Sequence, residues 1–345
     1  MYRQFHDKSQ NCKNISQNKV NNLSILYNIL SRYCTQSQVQ VQILYSTNNQ
    51  CDTTDIITKF TIQKMLGILL AQYPIVLIHG FSSSAYYMSQ MKSIISREMP
   101  DAPVINCEIG NGYWTSIFMD VSKQVNLLAQ CIIDHNVSES GYIGVGHSQG
   151  AYLMRTLLEE HNHKMSPMIR LISLSGPQGG FFCGVKSKCK GQYLSWFQKK
   201  IVFWLEYSRL GQYAVVASQY WRNPYKLQSY AKYAKSLPLV DNIRDFDNQR
   251  KTNFMSVDKI VLFGGPTDEV ISPWQSAFFG TWKDGTDAEV DLYNEREEYK
   301  QDTFGLKSMV EQNRVFFEET DLHHGDYITD ENFIVTRLVP YLKTN

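Results

Sequence analysis

The chain has 345 residues, of which 43% are hydrophobic and 19% are charged, and its formal net charge is +1. This length is enough for one large α/β domain or two smaller ones, and the hydrophobic fraction is ordinary for a protein that buries a full core. A net charge near zero gives no electrostatic reason to expect nucleic acid or an anionic membrane surface as a partner.

Residues 1–65 differ in composition from the rest of the chain. Asn, Gln and Ser fill 23 of these 65 positions, and the first 50 residues contain one acidic residue against five basic ones. With its amphipathic patch NNLSILYNILSRY, the segment resembles an organelle presequence, although disorder or a misplaced gene start explains the composition equally well. We therefore expect a targeting-like or disordered N-terminal extension over 1–65, followed by the main folded domain over 66–345.

The most apolar stretch, MLGILLAQYPIVLIHG, begins at Met65 and is interrupted by Gln72 and Pro74. A membrane-spanning helix needs about 18 consecutive apolar residues, so we expect no transmembrane segment. The second half of the stretch is predicted to be a buried strand. If translation began near Met65, the first half would be the tail of a hydrophobic leader.

Six short apolar runs recur at intervals long enough for a helix. They are fairly continuously apolar, rich in β-branched residues and mostly followed by Gly or turn residues, which is typical of strands buried on both faces of a parallel sheet. The runs cover 73–80, 103–110, 141–146, 169–176, 259–265 and 314–319. Helix-length segments such as SAYYMSQMKSIISREM and FMDVSKQVNLLAQCIIDHN separate them. This alternation predicts an α/β fold with a mostly parallel, doubly wound sheet and helices on both faces.

The run over 141–146 leads into the sequence GHSQG and then into a helix-like stretch. G-x-S-x-G is the pattern of a nucleophile elbow, in which the serine occupies a strained strand-to-helix turn with its hydroxyl exposed. The motif alone is common by chance, so Ser148 needs partners elsewhere in the chain before it is interpreted as a nucleophile. His147 occupies the unspecified position of the motif, and we interpret it as structural.

The alternation of strands and helices stops at about 181–255. This predicted insertion has no obvious parallel strand, and it contains 12 aromatic residues between Tyr193 and Tyr233. We expect a group of helices that covers the active site. The aromatic side chains either pack the insertion's own small core or line an apolar channel above Ser148, since ligand clefts are mostly apolar.

Candidate partners for Ser148 follow the last two strands in the order Ser, acid, His that α/β-hydrolases use. Asp268 lies in the loop after KIVLF, and His323 and His324 follow RVFFEE. All three residue types lie at the carboxyl ends of predicted strands, where sites form in open α/β sheets. We therefore predict a triad of Ser148, Asp268 and His324. Glu269 is the alternative acid and His323 the alternative base.

The predicted mechanism also needs two backbone N–H groups that stabilise a tetrahedral oxyanion. The N–H of Gln149 follows the serine directly, and the second donor is predicted in the loop HGFSSS, at Phe81. We expect neither a metal nor a cofactor. Asp321, His323, His324 and Asp326 are neighbours in one loop, where side chains rarely all face the same ion, and no second group of ligands stands out. The Gly-rich stretch GPQGGFFCG lacks the Lys-Ser/Thr of a phosphate-binding loop.

Seven cysteines cannot all pair within the chain. Cys183 and Cys189 bracket a short loop and are the first candidate pair, and Cys107 and Cys131 are the weaker one. NVS at Asn136 is a possible glycosylation acceptor. These features favour an oxidising, secretory compartment only slightly.

These residues together resemble the palmitoyl-protein thioesterases of the α/β-hydrolase superfamily. The resemblance covers roughly 73–342, and its stretches are PIVLIHGF, GVGHSQGAYLMR, LISLSGPQGG, YWRNPYK, FGGPTDEVISPWQSAFFG, DTFGLKSMVEQ and VPYL. VISPWQSAFFG and ISLSGPQGG resemble most the second branch of the family, described as a lysosomal thioesterase acting on acyl-CoA-type substrates. The resemblance implies Ser148, Asp268 and His324 as the triad. It favours His324 over His323 because the spacing between His324 and the stretch VPYL fits the family pattern better.

The chain departs from the family pattern at three points. Ala151 stands where the family often has a second Gly after the elbow. The other branch of the family has a disulfide that links two helices, but Cys131 has no evident partner cysteine for it here, because EEHNHKMSP carries no cysteine. Cys183 and Cys189 resemble a short disulfide loop of that branch. No convincing signal peptide opens the chain, so a lysosomal or secretory location stands beside a mitochondrial one.

The function implied is a serine thioesterase that hydrolyses long-chain fatty acyl thioesters, either S-acylated proteins or acyl-CoA, through an acyl-enzyme. A thiol leaving group has a pKa near 8.5 and needs less help from a general acid than an amine does. An oxygen-ester lipase or carboxylesterase is the alternative enzyme. A catalytically idle hydrolase fold, recruited as a structural subunit, is the alternative that is not an enzyme.

Overall fold

A computed structural model describes residues 72–137, 139–184 and 205–343. The predicted N-terminal extension over 1–65 lies outside the described residues, as do positions 185–204 of the predicted insertion, which include Cys189. The expectations for these segments therefore stay predictions.

The strands of the described residues are β1 Ile75–Ile78, β2 Val104–Cys107, β3 Tyr142–His147, β4 Met168–Leu174, β5 Lys259–Gly264, β6 Thr281–Trp282, β7 Val290–Asp291 and β8 Val315–Glu319. The six apolar runs form one six-stranded sheet in the order β2-β1-β3-β4-β5-β8, and every neighbouring pair of strands is parallel. A two-stranded antiparallel sheet, β6-β7, was not predicted. The predicted α/β class with a mostly parallel sheet is confirmed, and it is the sheet arrangement of an α/β-hydrolase.

Helices connect the strands, and both helical segments singled out in the sequence are present. The α-helices of the described residues are α1 Ser89–Glu98, α2 Tyr113–Phe118, α3 Val121–Asp134, α4 Gln149–His161, α5 Arg209–Ala214, α6 Leu227–Tyr233, α7 Leu237–Val240, α8 Asn248–Phe254, α9 Glu297–Lys300, α10 Leu306–Glu311, α11 Glu331–Phe333 and α12 Val339–Leu342. Short 3-10 helices cover Ala85–Met88, Val216–Gln219, Pro224–Lys226, Trp274–Phe278, Tyr293–Glu295 and Asp326–Ile328, and a π-helix covers Ile334–Leu338. None of the helices in the described ranges combines the length and the hydrophobicity needed to cross a bilayer.

The central strands of the sheet are buried on both faces, and β1 is apolar at every position. Along β1, Val76 and Ile78 belong to a core cluster that includes α3, α4 and the helices of the insertion. Ile75 and Leu77 belong to a second cluster with α1 and the C-terminal helices. Successive side chains of a strand point to opposite faces, so a continuous apolar run needs a layer of helices on each side.

The aromatic residues of the insertion that the structure describes divide into a buried group and an exposed group. Tyr220, Trp221 and Tyr230 are at most 6% exposed, and the first two contact the ring of Phe181. Tyr220 and Tyr230 pack into the core that the sheet shares with its helices, and not into a small core of the insertion's own. Tyr213 and Tyr233 are about half exposed. Tyr193 and its neighbours up to position 204 lie outside the described residues.

A disulfide joins Cys107, at the end of β2, to Cys131 in α3. In the sequence analysis this pair was the weaker candidate beside Cys183 and Cys189. The two cysteines are 24 positions apart, and only the packing of α3 beside β2 brings them together, which the sequence does not show. Cys183 is also disulfide-bonded, and its partner lies outside the described residues.

Candidate active site

Ser148 lies between the last residue of β3 and the first residue of α4, at a backbone φ of 54° and ψ of −127°. This is an unusual conformation for a residue with a side chain, and it persists only where the surrounding structure enforces it. A Cβ on Gly146 would lie 2.4 Å from the backbone nitrogen of Ala151, and a Cβ on Gly150 would lie 2.5 Å from the carbonyl oxygen of His79. Only glycine fits at either position, so the spacing of the two glycines follows from the sharpness of the turn.

Asp268 and His324 meet at the carboxyl edge of the sheet, where Oδ2 of the aspartate lies 2.7 Å from Nδ1 of the histidine. A carboxylate only accepts hydrogen bonds, so Nδ1 of the neutral imidazole carries the proton and Nε2 is left as the basic nitrogen. The side chain of Asp268 is 1% exposed and that of His324 is 12% exposed. The pair is therefore largely shielded from water.

Three further groups hold the carboxylate of Asp268. Its Oδ1 accepts the backbone N–H groups of Val270 and Ile271 at 2.8 and 3.0 Å, and its Oδ2 accepts the hydroxyl of Ser175. Burial alone would raise the pKa of Asp268, but the hydrogen bonds to its charged form, above all from His324, hold that pKa below its ordinary value. The contribution of Ser175 was missed by sequence reasoning, although its motif LSGPQGG was noticed.

Glu269 and His323 form a second pair beside the first, with Oε2 of the glutamate 3.1 Å from Nδ1 of the histidine. The side chain of His323 is 65% exposed. Each acid thus contacts its own histidine. Glu269, the alternative acid of the sequence analysis, contacts the side chain of His323 and not that of His324.

His147 contacts the loop that carries His324. Its Nε2 lies 2.8 Å from the backbone carbonyl oxygen of His324, and the centroids of the two rings are 4.8 Å apart. The ring is buried, and desolvation lowers the pKa of His147 to about 3. The sequence predicted a structural role for His147 but gave no sign of this partner, which is 177 positions away.

The predicted oxyanion donors belong to the residue after Ser148 and to the loop after β1. Gln149 is the first residue of α4, and Phe81 lies in the loop after β1, where the adjacent Gly80 approaches the serine so closely that an added Cβ would lie 2.9 Å from the Cβ of Ser148. The side-chain amide of Gln149 donates to the carbonyl oxygen of Ser116 at 2.9 Å and accepts the hydroxyl of Tyr220 at 2.6 Å. The insertion therefore contacts the turn of Ser148 directly, through Tyr220.

The loop after β1 is held by a glutamate at the end of β2. Glu108 accepts the backbone N–H of Ala85 at 3.0 Å, and its other carboxylate oxygen lies 2.9 Å from Nε2 of His79. Burial lowers the pKa of His79 despite these neighbours. Glu108 thus contacts both ends of the loop that includes Phe81.

Within the described ranges, no group of three or more His, Cys, Asp or Glu side chains is arranged to hold a metal ion. A cavity of about 770 Å³ has walls that are largely charged, including Arg222, Arg296 and Glu298, and no predicted triad residue lines it. A wall of this kind does not suit a fatty acyl chain, because methylene groups gain binding free energy when they leave water for apolar surroundings and not when they face charged groups.

The comparisons of this chain with known proteins all indicate the same protein family. The family model described as palmitoyl protein thioesterase matches residues 74–324. Palmitoyl-protein thioesterase 3 of Dictyostelium discoideum is 28% identical over 81% of this chain and 95% of its own length. The lysosomal thioesterase PPT2 homolog of Drosophila melanogaster is 30% identical over 80% of this chain and 94% of its own length. Human lysosomal thioesterase PPT2 is 28% identical over 69% of this chain and 76% of its own length.

Proposed function

The chain belongs to the palmitoyl protein thioesterase family, a family of thioester hydrolases, and from this premise we propose that it hydrolyses long-chain fatty acyl thioesters by a serine mechanism with an acyl-enzyme intermediate. The observation that carries the proposal is the hydrogen bond of 2.7 Å between Asp268 and His324, formed beside the strained turn of Ser148. Two N–H donors, those of Phe81 and Gln149, complete the proposed site.

In the proposed first half-reaction, the Oγ of Ser148 attacks the thioester carbonyl carbon while Nε2 of His324 takes the hydroxyl proton. Asp268 stabilises the imidazolium that forms, and its own low pKa keeps it ionised in mildly acidic surroundings. The backbone N–H groups of Phe81 and Gln149 stabilise the tetrahedral oxyanion, by about 3 kcal/mol for each donor in comparable enzymes. The intermediate then collapses, the C–S bond breaks, and His324 returns the proton to the leaving sulfur.

The second half-reaction is the hydrolysis of the ester on Ser148. Nε2 of His324 takes a proton from water, the resulting hydroxide attacks the acyl carbon, and the C–O bond to Ser148 breaks. His324 then returns the proton to the serine oxygen, which releases the free fatty acid. Both half-reactions use the same base, so one change at His324 is expected to block both.

The proposed substrates are S-acylated proteins or peptides and acyl-CoA, which share the fatty acyl thioester and differ in the thiol. Burial contributes about 0.8 kcal/mol per methylene, so a long acyl chain supplies most of the binding free energy whichever thiol carries it. Palmitoyl-CoA and an S-palmitoyl peptide are therefore both needed as test substrates.

The test compares the wild-type protein with Ser148→Ala and with Ser89→Ala, which removes the hydroxyl of an exposed serine in α1. We expect both thioesters to be hydrolysed by the wild type and by the Ser89 variant, and Ser148→Ala to be slower by at least a thousand-fold. A fluorophosphonate probe should label Ser148 only. Equal turnover by wild type and Ser148→Ala would contradict the proposal, and faster hydrolysis of the matched oxygen ester would identify an esterase instead.

We also propose a lysosomal or secretory location. Two of the relatives are named lysosomal thioesterases. The disulfide between Cys107 and Cys131 is stable in an oxidising compartment, and Asn136, the first residue of the sequon, is exposed just after α3. Mass spectrometry of the natural N-terminus, together with glycan analysis at Asn136, tests this location against the mitochondrial alternative suggested by residues 1–65. An unglycosylated chain that is recovered from mitochondria would contradict it.

A further inference from the structure

The contact between His147 and His324 joins two segments that lie far apart in the sequence. A backbone carbonyl oxygen only accepts hydrogen bonds, so Nε2 of His147 is the donor in the 2.8 Å contact and carries the ring proton. The donor belongs to the residue directly before Ser148, and the acceptor belongs to His324 itself. The hydrogen bond therefore links the turn of the proposed nucleophile to the backbone of the proposed base.

Asp268 alone does not fix the position of His324. Its hydrogen bond to Nδ1 orients the imidazole ring, but the ring also moves with the backbone that carries it. That backbone belongs to a loop in which the N–H of Asp326 donates to the carbonyl oxygen of His323 at 3.0 Å. This local bond shapes the loop without tying it to β3. His147 supplies such a tie, because it is the last residue of that strand.

We propose that His147 is a positioning residue, which holds the backbone of His324 at the distance from Ser148 that proton transfer requires. This inference rests on the proposed serine mechanism, and it adds to it a residue that makes no contact with the reacting atoms. A displacement of a catalytic group by about 1 Å costs about a hundred-fold in rate, so a single hydrogen bond at this place matters.

The surroundings of His147 suit a neutral donor. Desolvation by burial is the main reason why the pKa of His147 falls to about 3, and the nearby ring of His324 lowers it further. The other titratable groups that act on it are Asp268, which favours its charged form, and His79, which opposes it. The ring of His147 therefore stays uncharged from pH 4 upward and does not compete with His324 for a proton.

The test compares His147→Phe, which keeps a flat ring but removes the donor, with His147→Gln, whose side-chain amide replaces the donor at a similar reach. We expect the Phe variant to lose 10- to 100-fold in kcat with palmitoyl-CoA and a similar factor in the rate of fluorophosphonate labelling at Ser148. KM should change by less than about three-fold. The Gln variant should keep at least a third of the wild-type kcat, and a Phe variant as active as the wild type overturns the inference.

A double-variant comparison separates positioning from a general loss of structure. In the Asp268→Asn background, His147→Phe should lower kcat by less than about two-fold, because both residues act through His324. An undiminished 10-fold loss in that background would show that His147 acts by another route. If the wild type itself fails to hydrolyse thioesters, or if Ser148→Ala is equally active, the proposed function is overturned, and this inference is overturned with it.

A measurement on the wild-type protein covers the case in which the Phe variant does not fold. Histidine labelled with ¹⁵N reports the tautomer of each ring by NMR, and the geometry requires the Nε2–H form for His147. Observation of the Nδ1–H form, or of a cationic ring at pH 6, overturns the inference.

Discussion

The burial of His147 predicts how the stability of the protein depends on pH. In the unfolded chain this histidine takes up a proton as the pH falls below about 6.5, whereas in the folded protein its pKa is about 3. Above pH 6.5 the titration of His147 therefore takes nothing from the free energy of unfolding. As the pH falls from 6.5 toward 3 the free energy of unfolding decreases progressively, because only the unfolded chain takes up the proton. Two pH units below 6.5, at pH 4.5, the loss is about 2.7 kcal/mol, from about 1.36 kcal/mol per unit.

The assay is urea-induced unfolding of the wild type, His147→Gln and His147→Phe at pH 7.5, 5.5 and 4.5. Neither replacement titrates, so the difference in unfolding free energy between the wild type and each variant should shift by about 2.7 kcal/mol in favour of the variant between pH 7.5 and 4.5. The shift should be the same for both variants, although only Gln retains a hydrogen-bond donor. Parallel pH profiles for the wild type and the variants would refute the reasoning, because they would mean that the folded state protonates His147 as easily as the unfolded chain does.

Three further predictions concern the site and its support. Asp268→Asn should lower kcat for palmitoyl-CoA by about 10⁴-fold because His324 would be held in the wrong tautomer, whereas Glu269→Gln should change it by less than about three-fold; similar losses in both would contradict the assignment of the acid. Cys131→Ser should lower the unfolding free energy by about 3.5 kcal/mol, since it opens a loop of 24 positions, and a loss under 1 kcal/mol in a urea titration would count against the bond. Gly150→Ala should destabilise the protein by at least about 2 kcal/mol, whereas Gly325→Ala, where an added Cβ meets no atom within 4 Å, should be nearly neutral; equal unfolding midpoints would contradict the crowding at the turn.

The centre of the sheet was predictable from the sequence because its central strands are buried on both faces, whereas the edge strands β2 and β8 are only partly buried. A run such as IVLI over Ile75–Ile78 has no polar position, and only a strand covered on both sides accommodates that pattern. The order of Ser148, Asp268 and His324 along the chain was readable for a related reason, since each follows one of these runs. Their catalytic roles remain predictions that the proposed experiments test.

Contacts across the fold could not be predicted in the same way. The disulfide at Cys131 depends on how α3 packs beside β2, and the bond from His147 depends on where the loop after β8 returns to β3. No local pattern in the sequence encodes either distance. Ser175 was within reach of prediction, because its motif was recognised, but its partner Asp268 lies 93 positions further along the chain.

The hydrogen bond from Tyr220 to Gln149 has a consequence for exchanging parts among relatives. Residues 181–255 are a segment that could be exchanged between relatives in order to alter acyl-chain preference. The hydroxyl of Tyr220 in this segment, however, donates a hydrogen bond to the side chain of Gln149, the residue directly after Ser148. A graft that omits a donor at position 220 would leave a buried amide oxygen of Gln149 without its partner, so the chimera would change turnover together with selectivity.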